Sequence, residues 1–153
     1  MVLVPQCVGA VRIPVIAAGG IATGAQLAAA LALGAEGAQV GSRFAITQES
    51  SGHPDWKRAV VDAGPADTQL CLKPLMPVRL LRNRFRDEIT ALEATGASRD
   101  KLAELLGQGR ARRGMLEGDL DEGELEVGQV AGLIDDVPTV AEVVARLAPP
   151  GGP

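Results

Sequence analysis

Two glycine-containing turns hold the residues whose types best suit binding of a charged ligand. Ala18, Gly19 and Gly20 follow one apolar run, and Gly41 and Ser42 follow the next. Glycine leaves backbone N–H groups uncovered, and such groups in a nest or at a helix start bind phosphate. Ser42 adds a hydroxyl. The two turns together predict a phosphate site, although a tight strand-to-helix connection is an alternative reason for each of them.

The elements that must position these turns form a strand, a helix and a second strand. The continuous apolar run 13–18 predicts a buried parallel strand, and the segment 37–41 predicts another. Between them, Thr23 is placed to cap a helix that ends near Leu33, with Gly34 in the left-handed position. The spacing indicates a right-handed βαβ unit. In (β/α)₈ barrels, the loops after strands seven and eight bind phosphate in this way.

Other binding motifs fail on spacing or lack partners. The segment GGIATG lacks the GxGxxG spacing of a dinucleotide site, and no P-loop is present. The acidic stretch from Asp119 has glycine fifth and Val130 twelfth, which excludes a calcium loop and predicts a solvated loop. His53 has no second histidine for a metal site and is expected beside a helix N-terminus. Cys7 and Cys71 are expected to be free thiols, and no metal site is predicted.

The composition argues against nucleic acid and membranes as partners. The formal net charge is −4 and aromatic residues make up 2% of the chain. The arginines Arg79, Arg82 and Arg86 are predicted to share a helix face, where they would meet carboxylates or an anionic cofactor. No signal peptide is visible, and the longest apolar run is too short to span a bilayer. A soluble, cytoplasmic protein is predicted.

The second half of the chain has mainly helical patterns. Five apolar residues at helical spacing predict one helix, namely Val78, Leu81, Phe85, Ile89 and Leu92. Further helices are expected after Pro54, after Ser98 and at the capping box formed by Thr139 and Glu142. The tail at residues 149–153 is predicted to be disordered.

Several segments, in order from about residue 2 to residue 147, resemble the C-terminal part of the nitronate monooxygenases. They are PVIAAGGIATGAQLAAALALGAEGAQVGSRF, HPDWK, PVRLLRN and GDLDEGELEVGQVAGLI. The same segments are also similar to FMN-dependent enoyl-ACP reductases and to related NAD(P)H:quinone reductases.

The resemblance implies an FMN-dependent TIM barrel with an added helical segment. In the family, an alkyl nitronate is oxidised with dioxygen to a carbonyl compound and nitrite. Ala18, Gly19 and Gly20 match the first phosphate-contacting turn, and Gly41 and Ser42 match the second. Gln129 lies in a motif expected near the flavin pocket. The small-molecule partners implied are the nitronate and O₂.

The same resemblance implies that the chain is incomplete as a barrel. The fold class expected is α/β, the last two βα units of a (β/α)₈ barrel over residues 1–70, with a helical extension over 71–148. The family's catalytic histidine belongs to the N-terminal half, and His53 does not match it. We therefore expect no catalytic residue here, weak FMN binding and no turnover by the isolated chain. A C-terminal fragment of a truncated gene, a mis-called start, a split gene with a separately encoded N-terminal half and a non-catalytic phosphate-binding remnant are alternatives at this point.

Overall fold

A computed structural model describes residues 2–148, so the tail predicted to be disordered, 149–153, lies outside the described residues. The chain divides into two compact units. The first unit comprises residues 1–50 and 138–153, and the second comprises residues 51–137. The first change of unit falls between residues 50 and 51 rather than near residue 70, and the last helix of the chain belongs to the first unit.

The structure has mixed α/β secondary structure in both units. In chain order the elements are α1 (Leu3–Ala10), β1 (Ile16–Ala18), α2 (Gly24–Ala32), β2 (Gly37–Gln39), α3 (Ser42–Ala45), α4 (Pro54–Val61), β3 (Thr68–Cys71), β4 (Val78–Leu81), α5 (Arg84–Ala94), α6 (Arg99–Leu106), α7 (Arg110–Met115), a 3₁₀ helix (Gln129–Leu133) and α8 (Val140–Leu147).

The first unit contains the predicted βαβ arrangement. The prediction of a buried strand over residues 13–18 is wrong in part, because β1 begins only at Ile16 and two of its three residues are exposed on a sheet of two strands. Strands β1 and β2 pair in parallel, with Ala18 opposite Gln39 at the end of the register. Thr23 caps α2, and Gly34 has φ +96°, as the sequence predicts. Small buried side chains, including Ala17 and Ala30, form the core between sheet and helix. Small residues allow α2 to lie close to the strands. This close packing determines the position of the loop that connects β1 to α2.

Helix α8 completes the first unit. Thr139 and Glu142 form the predicted capping box at its start. The Gln48 N–H donates to the carbonyl oxygen of Pro138 (2.9 Å), and the Val140 N–H donates to the Glu49 carboxylate (2.9 Å). These bonds attach α8 to the segment after α3.

The second unit contains an antiparallel hairpin, which corrects the helix predicted from Val78. Strands β3 and β4 pair with Thr68 opposite Leu81, and Leu80 also forms a bridge to Glu126. The prediction is wrong for residues 78–81 because backbone pairing on both sides holds them extended. Helix α5 begins only after Asn83, whose side chain caps it.

Two further corrections follow from strand β4. The arginines Arg79, Arg82 and Arg86 do not share a helix face, because Arg79 lies in β4 and Arg86 in α5. The segment 71–148, predicted as a helical extension, also contains this strand. The predicted helices after Pro54 and Ser98 are confirmed as α4 and α6. Within residues 2–148, no helix is both long and apolar enough to cross a bilayer.

Candidate functional site

The two glycine-containing turns leave the sheet at the same edge. Strand β1 ends at Ala18 and β2 ends at Gln39, and these two residues are paired in the parallel register. The chain then continues into Gly19 and Gly20 from β1, and into Gly41 from β2. The carboxyl ends of parallel strands form the edge at which α/β proteins bind ligands.

The first turn requires glycine for conformational reasons. Gly19 has φ +88° and Gly20 has φ +73°, a region that residues with a side chain rarely adopt. A Cβ added at either position would meet no atom of the described residues within 4 Å, apart from its chain neighbours. The backbone is therefore uncovered at this turn. The turn geometry by itself also explains both glycines.

The second turn differs, because its glycine is required neither by conformation nor by packing in the described chain. Gly41 has φ −102° and ψ −74°, which other residues adopt. A Cβ added there would meet nothing within 4 Å of the described residues. Glycine at this position fits the close approach of a group from outside the chain, at the start of the short helix α3.

The start of α2 is capped by the side chains of Thr23 and Gln26, which form hydrogen bonds with its first backbone N–H groups. The Gln26 N–H donates to Thr23 Oγ1 (3.3 Å), while Gln26 Oε1 accepts from the N–H groups of Ala22 (2.8 Å) and Thr23 (3.1 Å). A Cβ added at Gly24 would lie 2.8 Å from the carbonyl oxygen of Arg146 in α8. An anion at this edge would therefore be held by the turns themselves, rather than by the first turn of α2.

A cavity of about 270 Å³ opens beside the first turn. Its walls are mainly apolar and include peptide groups of the turn. They are formed by Val4, Ala17, Ala18, Gly19, Gly20, Ile21, Gln26, Ala29, Ala30 and Leu33. No carboxylate is among these described lining residues. Next to Ser42, Arg43 places a buried guanidinium in α3, with Nη2 donating to the carbonyl oxygen of Ile46 (2.9 Å).

These features fit the phosphate end of a nucleotide cofactor. The uncovered backbone at Gly19, Gly20 and Gly41 leaves room for phosphate oxygens, and Ser42 places a hydroxyl-bearing side chain directly after the second turn. Gln129 begins the 3₁₀ helix of the second unit, while the other five predicted site residues belong to the first. Its place near a flavin remains a prediction.

The family model described as nitronate monooxygenase matches residues 1–149. The chain belongs to this family. It is 36% identical to the nitronate monooxygenase of Paraburkholderia phytofirmans, over 89% of this chain and 37% of that protein. It is 33% identical to a (3aS,4S,5R,7aS)-5-hydroxy-7a-methyl-1-oxo-octahydro-1H-indene-4-carboxyl-CoA dehydrogenase of Rhodococcus jostii, over 93% of this chain and 51% of that protein.

Among solved structures, the chain is similar to FabK from Thermotoga maritima. The TM-score is 0.88 and the identity is 43%, over 95% of this chain and 46% of FabK. The chain therefore spans about half, or less than half, of the length of each of these three relatives.

The histidine and the two cysteines of the chain, which are side chains capable of chemistry, have contacts or burial typical of structural residues. His53 is the N-cap of α4, and its Nδ1 accepts from the Asp55 N–H (3.2 Å), which confirms its predicted place beside a helix N-terminus. Burial raises the pKa of the Cys71 thiol, which favours its protonated form. Both cysteines are free. Among residues 2–148, no cluster of three or more His, Cys, Asp or Glu side chains is arranged to hold a metal ion.

Gln26 is the residue of this site that the sequence analysis missed. Its signal was present, because Thr23 and Gln26 have the S/T-x-x-E/Q spacing of a capping box. The same spacing was recognised at Thr139 and Glu142. The position of Gln26 in the cavity wall depends on how α2 packs, which the spacing does not specify.

Proposed function

We propose that this chain supplies the phosphate-binding part of an FMN-dependent nitronate monooxygenase with a TIM-barrel fold. In the proposed reaction, an alkyl nitronate is oxidised with O₂ to a carbonyl compound and nitrite. The observation that supports the cofactor most directly is Gly41, a glycine that neither backbone conformation nor packing requires. Membership of the nitronate monooxygenase family supports the reaction class.

Each residue of the two turns has a binding role in this proposal. Gly19 and Gly20 keep the backbone open to the phosphate, and Ala18 leads the strand into the turn. Gly41 allows close approach at the second turn, and the Ser42 hydroxyl donates to a phosphate oxygen. When bound, FMN supplies the redox chemistry, and the protein supplies binding and orientation. Gln129 is proposed to lie near the flavin.

Comparison of FMN with riboflavin, which lacks the phosphate, tests the proposal. The chain is expected to bind FMN more tightly than riboflavin, by fluorescence titration. Gly41→Val should remove this preference, since its side chain would occupy the space beside the second turn, and its melting temperature measures any cost to the N-cap of α3. Gly9→Val is the matched control, because among the described residues nothing lies within 4 Å of a Cβ added at Gly9 in α1. Equal affinities of Gly41→Val and unmodified protein for FMN would contradict the proposal.

Turnover is proposed to require the remaining barrel strands, either as part of the same chain or from a separately encoded N-terminal half. Ile13 and Ile16 beside and within β1 are 72% and 56% exposed, which suits a sheet face that further elements of a barrel would cover. The test mixes this chain with the N-terminal half of the Paraburkholderia phytofirmans enzyme and measures nitrite from propyl-2-nitronate and O₂. No turnover by the chain alone and recovery in the mixture are expected. Turnover by the chain alone would refute this part.

A second candidate is FMN-dependent enoyl-ACP reduction, because the likeness to FabK is high. The same mixture assayed with NADH and an enoyl thioester discriminates between the two reactions, and a quinone substrate tests the NAD(P)H:quinone reductase alternative. A phosphate-dependent FMN affinity without turnover in any of these mixtures would instead favour a non-catalytic phosphate-binding module.

A further inference from the structure

The side chain of Gln26 connects the first turn to helix α2. Its Oε1 accepts from the N–H of Ala22 (2.8 Å) and the N–H of Thr23 (3.1 Å), while its own N–H donates to Thr23 Oγ1. These residues directly follow Gly19–Gly20 and Ile21. The glycine turn is therefore held between the end of strand β1 and a fixed point on α2.

The chain contains a second capping box that serves as an internal comparison. At α8, Glu142 Oε2 accepts from the N–H of Thr139 (2.8 Å), and the Glu142 N–H donates to Thr139 Oγ1 (3.3 Å). The geometry matches that at Thr23, but the side chain is a carboxylate. Near a helix N-terminus, a carboxylate is favoured by the dipole. Stability of α2 by itself would therefore favour glutamate at position 26.

The cavity explains why an uncharged side chain occupies position 26. Gln26 forms part of the wall that also contains Ala18, Gly19 and Gly20. A carboxylate at position 26 would repel a phosphate dianion bound at the Gly19–Gly20 turn, since both line the same cavity. The carboxamide provides the same acceptor oxygen for the loop without that charge.

We propose that Gln26 is a positioning and specificity residue for the anionic end of the cofactor. It fixes the Gly19–Gly20 turn through Ala22 and Thr23, and it keeps the cavity wall free of negative charge. This inference rests on the proposed function, because it takes FMN phosphate to be the group bound at the turn.

The test uses the full chain with FMN and riboflavin as probes. Gln26→Glu keeps the capping box, so its melting temperature should equal or exceed that of the unmodified protein. Its affinity for FMN should fall on the order of tenfold, whereas its affinity for riboflavin should not change. Glu142→Gln, the reverse exchange at the other capping box, should leave both affinities unchanged.

A second variant tests the positioning role without a ligand. Gln26→Ala removes the acceptor, so amide hydrogen exchange at Ala22 and Thr23 should become faster, and Gln26→Glu should leave it slow. Unchanged exchange in Gln26→Ala would overturn the positioning role. Equal losses of FMN and riboflavin affinity in Gln26→Glu, or no loss of either, would overturn the specificity role. If the unmodified chain does not distinguish FMN from riboflavin, the proposed function fails and this inference fails with it.

Discussion

The carboxamide of Asn83 joins the start of helix α5 to a backbone carbonyl 40 residues further along the chain. Its Nδ2 donates to the carbonyl oxygen of Gly123 (2.7 Å) and to that of Leu120 (3.0 Å), while its Oδ1 accepts from the Arg86 N–H (2.8 Å). One side chain thus begins a helix and fixes the acidic segment 117–128.

Substitutions at Asn83 should separate these two roles. Asn83→Ala loses the cap and both tethers and should lower the free energy of unfolding by about 2–3 kcal/mol. Asn83→Asp keeps the cap acceptor but loses the donor, and it should cost about 2 kcal/mol. Urea unfolding measures both values, with Ser98→Ala, a cap without tethers, as a control near 1 kcal/mol. An Asn83→Asp variant as stable as the unmodified protein would exclude the tethering role.

Arg110 should be irreplaceable by lysine in the second unit. Its Nε donates to the carbonyl oxygen of Leu106 (2.9 Å), its Nη1 donates to Glu122, and its guanidinium lies 4.4 Å from the centre of the Phe85 ring. Lysine has no planar fork to make these contacts together. Arg110→Lys should lower the free energy of unfolding by roughly 2–3 kcal/mol.

The control for Arg110 is an exposed arginine of the same helix. Arg112 pairs with Glu117 at the surface, where ion pairs contribute little, so Arg112→Lys should change stability by less than about 0.5 kcal/mol. Comparable effects of the two substitutions in chemical unfolding would contradict the role assigned to Arg110.

Leu72 combines burial with an unfavourable backbone conformation. It is 2% exposed and has φ +55°, which residues with a side chain adopt at a cost of about 1 kcal/mol. Leu72→Ala and Leu72→Gly should both destabilise by several kcal/mol, on the order of 2–5. Glycine should be the less harmful by about 1 kcal/mol, which reverses their usual order. If thermal unfolding shows the alanine variant to be more stable than the glycine variant, the positive φ at residue 72 does not cost free energy.

Burial, together with the neighbouring Glu126, raises the pKa of Glu124 to about 6, although Arg110 opposes the shift. The folded state therefore binds the proton more tightly than the unfolded state, whose pKa is near 4.5. The free energy of unfolding should fall as the pH rises from about 4.5 to about 6, by about 2 kcal/mol, and stay low above that range.

Glu124→Gln should flatten this pH dependence and stabilise the protein near pH 7. The matched control is Glu117→Gln, at a half-exposed side chain, which should preserve the decrease between pH 4.5 and 6. Melting temperatures measured across this range provide the test. A pH profile of Glu124→Gln that matches the unmodified protein would assign the effect to another group.

Most of the βαβ arrangement was predictable from the sequence because its signals are local. Thr23 begins α2, Gly34 terminates it, and the apolar runs on either side are strands whose parallel pairing follows from the helix between them. The positions of the two glycine turns follow from the same signals. His53 was placed correctly for the same reason, since capping involves neighbouring residues only.

Features that depend on distant residues were not predictable. Residues 78–81 have apolar spacing compatible with a helix, but pairing with Thr68–Cys71 and with Glu126 makes them a strand. The attachment of α8 to Glu49 joins residues that are 91 positions apart. No local pattern specifies such contacts, because their free energy comes from elements that meet only when the chain folds.

The sequence by itself determined the family, the βαβ unit and the residues of the two turns, because motifs and caps are properties of neighbouring residues. Only the tertiary structure decided that Gly41 has open space around it and that Gln26 forms part of the cavity wall. The space around Gly41 and the position of Gln26 depend on how the helices and strands pack in three dimensions. The residue types at these two positions are compatible with several such arrangements.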